Sequence, residues 1–388
     1  MMELLNSFTF QLPTRVEFGL GVSQKIGDEA VNLGGECALI VTDPGVIKAG
    51  IIDQVTSSLK QTDISYSIFS DIEPNPRDTS VEKGAEIARK SGADLLVAVG
   101  GGSAIDTAKG IGVLLTHGGA IQYYEGLGKV SRPITPLIAI PTTAGTGSEV
   151  TFWAVITDTE RRFKMSVGSP LIAPKVALVD PEVTKSLPPL LTASTGMDAL
   201  THAIEAYTAT LANPVTDGLA LYAIELISSH IRQATFNGYD LTARSGMLLG
   251  SLIAGMAFGN SDVAAVHCMA EAVGGLYDIP HGIANAILLP HVMEYNASSC
   301  GEKYARIASV MGVDTSGLGQ EESARKAVAA VMQLTQDLKL PTLKEVGVKE
   351  GDLPELARRA AANVSVESNP RKVTFEDFLK IFRKAFLV

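Results

Sequence analysis

The sequence predicts a two-part chain: an α/β N-terminal region built on a parallel sheet, then an all-helical C-terminal region. Three observations carry this. Short, almost wholly apolar runs (ALIV, LLVAV, LIAI, VALV) alternate with helical patterns as far as about Pro181, as central parallel strands buried on both faces and joined by crossover helices require. From about Leu187 the strand signals stop, and Ala, Leu and Met recur with the helical period. The 388 residues suit two domains at roughly 150 residues each. The boundary is placed at Pro188-Pro189, giving an α/β domain over 1–187 and a helical domain over 188–388.

The expected strands are Arg15–Phe18, Cys37–Thr42, Ile64–Phe69, Leu95–Val99, Leu137–Ile140 and Val176–Val179. Helical patterns fill Val46–Lys60, Ser80–Lys90 and Ala104–Leu115, and AVITDTERRFKMSV reads as a hairpin with a charged turn. The C-terminal half reads as seven to nine helices, punctuated at Asn213-Pro214, Asn237-Gly238, Gly259-Asn260 and Ile279-Pro280.

Composition narrows the function classes. With 46% apolar and 19% charged residues the chain is globular. Its 32 basic residues against 42 acidic ones give a net charge of −10, and there is no basic run. That argues against nucleic acid or an anionic membrane as a partner. Cys37, Cys268 and Cys300 are scattered, without a CxxC pair, which points to a reducing compartment rather than disulfides or a thiolate zinc site. The start, MMELLNSFTF, lacks the pattern of a signal peptide, and the apolar stretch near Met247–Phe258 is too short to span a bilayer. A cytoplasmic location is expected.

Two loops suit binding chemistry, although either alone also reads as a tight strand-to-helix turn or a plain Ser/Thr-rich loop without a ligand. The run LLVAV leads into Gly100-Gly101-Gly102-Ser103 and then a helix. Glycine lets backbone approach closely there, and the free N–H groups of a helix start attract an anion such as a diphosphate. The spacing is not that of the G-x-G-x-x-G fingerprint, since Ile105 stands at its last glycine. After LIAI comes PTTAGTGSE, whose hydroxyls and small residues suit ribose, phosphate or carboxamide. Both loops follow buried strands, so both belong at the carboxyl edge of the sheet. Asp43 ends another strand. It reads either as a turn or helix-capping residue or as a ribose partner that favours NAD over NADP.

Of six histidines, His202 lies four residues after Asp198, on one helical face. His267 sits in a later helical segment and His281 in Pro280-His281-Gly282. One carboxylate and three imidazoles suit Zn²⁺ or Fe²⁺ with room for a substrate oxygen, although a helix pair and core histidines produce the same spacing. His117, His230 and His291 have no such setting.

Taken together, GGGSAIDTAK, PTTAGTGSEVT, STGMDALTHAIEAY and PHGIANAILLPHV resemble the iron-containing (group III) alcohol dehydrogenases, over nearly the whole chain. The resemblance implies a dehydroquinate synthase-like fold, with a Rossmann-like NAD-binding domain and an all-α metal-binding domain. It implies Asp198, His202, His267 and His281 as metal ligands, and Gly101, Gly102 and Ser103 at the pyrophosphate. It also implies Asp43, Asn75, Thr142, Thr143, Thr146 and Ser148 along the dinucleotide, Lys164 near the nicotinamide ribose, and Asp106 in the same motif. The cofactors would be NAD and Fe²⁺, with Zn²⁺ or another divalent ion as alternatives.

The reaction implied is reversible, NAD-dependent oxidation of a short- or medium-chain primary alcohol to its aldehyde, in a homodimer or larger homo-oligomer. Phe152 and Phe258 would offer apolar wall. The sequence departs from the resemblance at Glu271, where many members carry a histidine near the substrate. Glu271 reads either as a structural acid or, the reading adopted, as a catalytic-site residue that orients metal-bound water or relays a proton. Polyol dehydrogenation and hydroxyacid–oxoacid transhydrogenation are rivals within the fold. A metal hydrolase would leave the loops idle, and a nucleotide sensor would leave the histidines idle.

Overall fold

The computed structural model of the chain describes residues 7–387. MMELLN, on which the absence of a leader was partly read, lies outside the described residues. Two compact units emerge.

The first unit comprises Leu12–Leu187 and Gly238–Leu248. Its strands are β1 (Arg15–Phe18), β2 (Cys37–Thr42), β3 (Ser65–Phe69), β4 (Leu95–Gly100), β5 (Gly126–Leu127), β6 (Leu137–Pro141), β7 (Trp153–Asp158), β8 (Phe163–Gly168) and β9 (Val176–Val179). Its helices are α1 (Ile26–Asn32), α2 (Pro44–Lys48), α3 (Ile51–Gln61), α4 (Asp78–Ser91) and α5 (Gly102–His117). Six strands form one parallel sheet in the order β1-β9-β6-β4-β2-β3. All six expected strands are there, each end within one residue of its expected position.

Burial on both faces explains why the runs of the central strands are almost wholly apolar, while the edge strands β1 and β3 carry exposed polar residues. Leu39 and Val41 of β2 enter one core cluster and Ala38 and Ile40 the other. In β4, Leu96 and Ala98 face one way and Leu95, Val97 and Val99 the other. The stretch Val46–Lys60 is not one helix: Gly50, at φ +74°, caps a separate α3. The expected hairpin is antiparallel β7–β8, with β5 parallel to β8.

The second unit comprises residues 7–11, 188–237 and 249–387. From Pro189 on, the described residues hold eight α-helices and no strand: α6 (Pro189–Thr208), α7 (Pro214–Phe236), α8 (Leu241–Phe258), α9 (Ala265–Tyr277), α10 (His281–Val310), α11 (Gln320–Asp337), α12 (Leu353–Ala361) and α13 (Phe375–Leu387).

Two segments group away from the side of Pro188 that the sequence suggested. Gly238–Leu248 clusters with the α/β unit, where buried Arg244 donates to the carbonyls of Gly238 and Leu187 at 2.9 and 3.1 Å. Gln11 groups with the helices through paired hydrogen bonds to the Asn260 amide. The apolar helix α8 is longer than the Met247–Phe258 stretch. At 18 residues and a mean hydropathy of 1.3 it is long and apolar enough to cross a membrane by length and composition alone, but 67% of it is buried, which gives that apolar surface a place in the core.

The fully buried Leu96 of β4 makes the sheet's dependence on packing measurable. Leu96→Ala should cost about 2–5 kcal/mol, read as a lower denaturation midpoint at unchanged slope.

Candidate metal centre and dinucleotide loops

In the α/β unit, the loops at the carboxyl ends of β2, β3, β4 and β6 gather most of the expected dinucleotide residues. The chain runs outward from β2 to β3 and then returns to place β4 on the other side of β2. That reversal makes the carboxyl end between β2 and β4 a topological switch point, where such sheets bind ligands. Asp43 follows β2 there, and Gly101 follows β4.

The Asp43 carboxylate accepts from Gly45 N–H and Val46 N–H through Oδ1, at 2.8 and 3.1 Å. It therefore caps α2, as the plainer reading of this residue expected. Oδ2 lies 3.4 Å from where a Cβ at Gly100 would stand. No side chain caps α5, which starts at Gly102, so its first N–H groups remain open to an anion.

The two loops fit through small residues. A Cβ on Gly102 would lie 2.6 Å from Thr146 Cγ2, and one on Gly101 would lie 3.0 Å from Thr143 Oγ1. Thr142 N–H bonds Gly100 C=O at 3.0 Å. The result is a cradle that larger residues would fill, and its bare N–H groups and hydroxyls suit a dinucleotide. Further along the edge, the loop after β3 docks on β7, with Thr157 N–H on Pro76 C=O at 2.7 Å. Asn75 there, at φ +58°, accepts from Lys164 Nζ at 2.7 Å.

Ser148 and Asp106 belong to a buried charge network that the sequence did not reveal. Ser148 donates to Asp106 Oδ1, and Val155 N–H bonds Oδ2 at 3.0 Å. The fully buried Lys109 donates to Ser148 Oγ at 2.8 Å and Trp153 C=O at 2.6 Å. Its ammonium also reaches Thr151 Oγ1 at 3.4 Å. Glu149 is buried beside it, with Oε1 unpartnered. Burial pushes Lys109 down to about 8 against the charges of Asp106 and Glu149. Burial pushes Glu149 up to about 7, with Lys109 a smaller opposing influence, and it also raises Asp106.

In the helical unit, ligand atoms of Asp198, His202, His267 and His281 all lie within 4.8 Å of one another. Asp198 and His202 share a face of α6, His267 is in the first turn of α9, and His281 opens α10. Close approach of α10 to α6 needs Gly282, since a Cβ there would stand 2.5 Å from Ser194 C=O. Asn285, one turn past His281, donates from Nδ2 to Asp198 Oδ1 at 2.6 Å. The same nitrogen is 3.2 Å from His267 Nε2 and 3.1 Å from His281 Nε2. One amide nitrogen within reach of three of the donors marks where they converge, and the set fits a divalent ion.

Phe258 stacks on the His202 ring at 4.2 Å, and Phe152 lies beside Trp153. Burial alone would raise Asp198, yet His202, His281, His267 and the Asn285 amide hold it below the usual carboxylate value. Burial would lower His267, but the Glu205 carboxylate, with Asp198 and Glu271, raises it.

Glu205 and Asn285 were missed in the sequence. Their only signal is register: Glu205 follows His202 by three residues and Asn285 follows His281 by four, so each shares a face with a donor. Glu205 Oε2 lies 2.6 Å from His267 Nδ1. Glu271 is half-buried and accepts from Asn363 Nδ2 at 2.6 Å. His117, His230 and His291 stand outside the cluster.

Sheet, loops and donor cluster together define a class of metal- and nucleotide-binding chains with one α/β and one helical half. Family models agree: iron-containing alcohol dehydrogenase matches residues 13–181, and the C-terminal Fe-containing alcohol dehydrogenase model matches residues 192–386. The chain belongs to the iron-containing alcohol dehydrogenase family. It is 45% identical to 1,3-propanediol dehydrogenase of Klebsiella pneumoniae over 98% of this chain and 99% of that one. A solved 1,3-propanediol oxidoreductase superposes with a TM-score of 0.96 at 44% identity, covering 98% and 100% of the two chains. Sulfoacetaldehyde reductase from Bifidobacterium kashiwanohense, solved in complex with NAD⁺, superposes at 0.88 with 30% identity, covering 98% and 99%.

Glu149 gives the α/β site a pH signature. Its ordinary value is 4.5 and its folded value about 7, so between them the native state holds a proton that the unfolded chain has lost. Its contribution to stability therefore falls as pH rises through that window. Glu149→Gln removes this dependence. The variant's melting temperature should gain on the parent's between pH 5 and pH 8, by the equivalent of a few kcal/mol; parallel curves would refute the assignment.

Proposed function

We propose that this chain is an NAD-dependent, divalent-metal-dependent dehydrogenase that interconverts a small primary alcohol and its aldehyde. The observation that carries the reading is the convergence of Asp198, His202, His267 and His281 within 4.8 Å, in a chain of this family. These four would hold Fe²⁺, or Zn²⁺ in its place. When bound, the ion supplies Lewis acidity toward an alcohol or carbonyl oxygen, and the nicotinamide supplies the hydride acceptor or donor.

The chain's own residues do the positioning. Gly101, Gly102 and Ser103 offer open N–H groups to the pyrophosphate. Thr142, Thr143, Thr146 and Ser148 line the dinucleotide, with Ser148 oriented by Asp106. Asn75 and Lys164, already paired, present a fixed donor to the nicotinamide ribose. Asp43 keeps one oxygen outside its capping bonds for the adenosine ribose. Phe258 keeps one side of the donor cluster apolar, in keeping with a short alkyl chain. Glu271 adds an acceptor near the cluster. Three free cysteines, two of them buried, and the acidic surface suit a cytoplasmic enzyme, and a homodimer or larger homo-oligomer completes the reading.

His281→Ala should abolish both metal content and turnover, because three donors leave a mobile ion, while NAD⁺ binding followed by fluorescence persists. Activity that survives in this variant after chelation would sink the ligand assignment.

Asp43→Gly should shift the NADP-to-NAD ratio of kcat/KM upward by removing a charge that repels a 2′-phosphate. Stability should drop by only a few tenths of a kcal/mol, since glycine is a tolerated helix cap. An unchanged ratio would make Asp43 a cap and nothing more.

A further inference from the structure

The structure assigns Glu205 as a positioning residue of the metal centre: its carboxylate fixes the tautomer of His267, and with it the start of the helix that carries this histidine. The inference rests on the proposed metal site and adds to it a residue outside the four donors.

The argument is one of donors and acceptors. Glu205 is 3% exposed and lies on α6, on the helix that carries Asp198 and His202. Its Oε1 accepts from Val266 N–H at 2.7 Å, and its Oε2 accepts from Ala264 N–H at 2.8 Å. Both partners are backbone N–H groups, which can only donate, so both oxygens of Glu205 are committed as acceptors. His267 Nδ1, 2.6 Å from Oε2, must therefore bring its own proton. A neutral imidazole with Nδ1–H has a bare Nε2, and Nε2 is the atom that faces Asn285 among the donors. The anion behind Nδ1 also makes Nε2 a better electron donor, as partners of metal-bound histidines do.

The same carboxylate closes a gap in local structure. α9 begins after Ala264, which offers no side-chain cap. Glu205 takes two N–H groups of that start from a different helix. Ring orientation and helix start thus depend on one group, which explains a buried carboxylate with no direct place among the ligands.

Capping and positioning can be separated with Co²⁺ as the probe. Affinity is measured by chelator competition, and coordination by the visible absorption of the Co²⁺ protein. Glu205→Gln should weaken Co²⁺ binding by about 10–100-fold and shift the absorption band. Ala264→Ser gives α9 its own cap, so the double variant E205Q/A264S should recover thermal stability yet still bind Co²⁺ weakly. If the double variant regains parental affinity, or E205Q never lost it, Glu205 is only a cap and the proposal is overturned. If the parent itself fails to bind Co²⁺ or Fe²⁺, the metal reading falls, a result distinct from the other two.

Discussion

Everything in the helical unit answers to one constraint: four ionisable ligand groups are held within 4.8 Å of one another, three of them almost fully out of water. Buried charge and buried imidazole lone pairs are costly unless each finds a partner. The surrounding fold supplies those partners. Asn285 bonds Asp198, Glu205 bonds His267, and the Phe258 ring covers His202. The helices must come close enough for this, which is why Gly282 stands against the Ser194 carbonyl. α6 carries Asp198, His202 and Glu205 along one stripe.

The α/β unit solves a related problem in another way. Lys109 is fully buried, and its hydrogen-bonding capacity is spent on Ser148, Thr151 and Trp153. It ties α5 to the loop after β6, the two segments that bear most of the candidate dinucleotide residues, and to β7. Loops rich in glycine and threonine have little core of their own. A buried ammonium with several fixed acceptors, backed by Asp106, holds such a loop where packing alone would not. The open N–H groups at α5 can then stay bare without the loop collapsing onto them.

How much of this was legible depends on what pattern encodes. The four central strands were readable because burial on both faces leaves little room for polar residues, whereas the edge strands β1 and β3 keep exposed positions and were marked only by their β-rich residues and the alternation with helices. The break at Gly50 was hidden because the residues on both sides share one helical period, and only the backbone conformation separates α2 from α3. Asp198, His202, His267 and His281 were picked out by the motifs that carry the family resemblance, since spacing alone also fits a helix pair and core histidines, and His117, His230 and His291 lie in helices as well. Glu205, Asn285, Lys109 and Glu149 were not, because spacing shows which face a side chain shares and says nothing of what lies opposite. Glu205 meets the start of α9 some 60 residues later in the chain, and Lys109 meets the β6–β7 loop about 40 residues later.

Glu271 fits the same electrostatic logic. The Asn363 carbonyl oxygen already accepts from Ser365 N–H at 3.0 Å, so its amide nitrogen is the group that must donate, and Glu271 receives that bond as an acceptor. Its charge, with those of Glu205 and Asp198, acts on His267 in one direction, toward greater basicity. Three carboxylates around one group of imidazoles favour positive charge among them, whether on the imidazoles that hold Asp198 down or on a bound cation. A doubly charged ion nearly balances them where a singly charged one would leave most of their charge unbalanced. The acid around the donors therefore sets a doubly charged ion in competition with imidazole protons, and a histidine in place of Glu271 would remove one of the charges that raise His267.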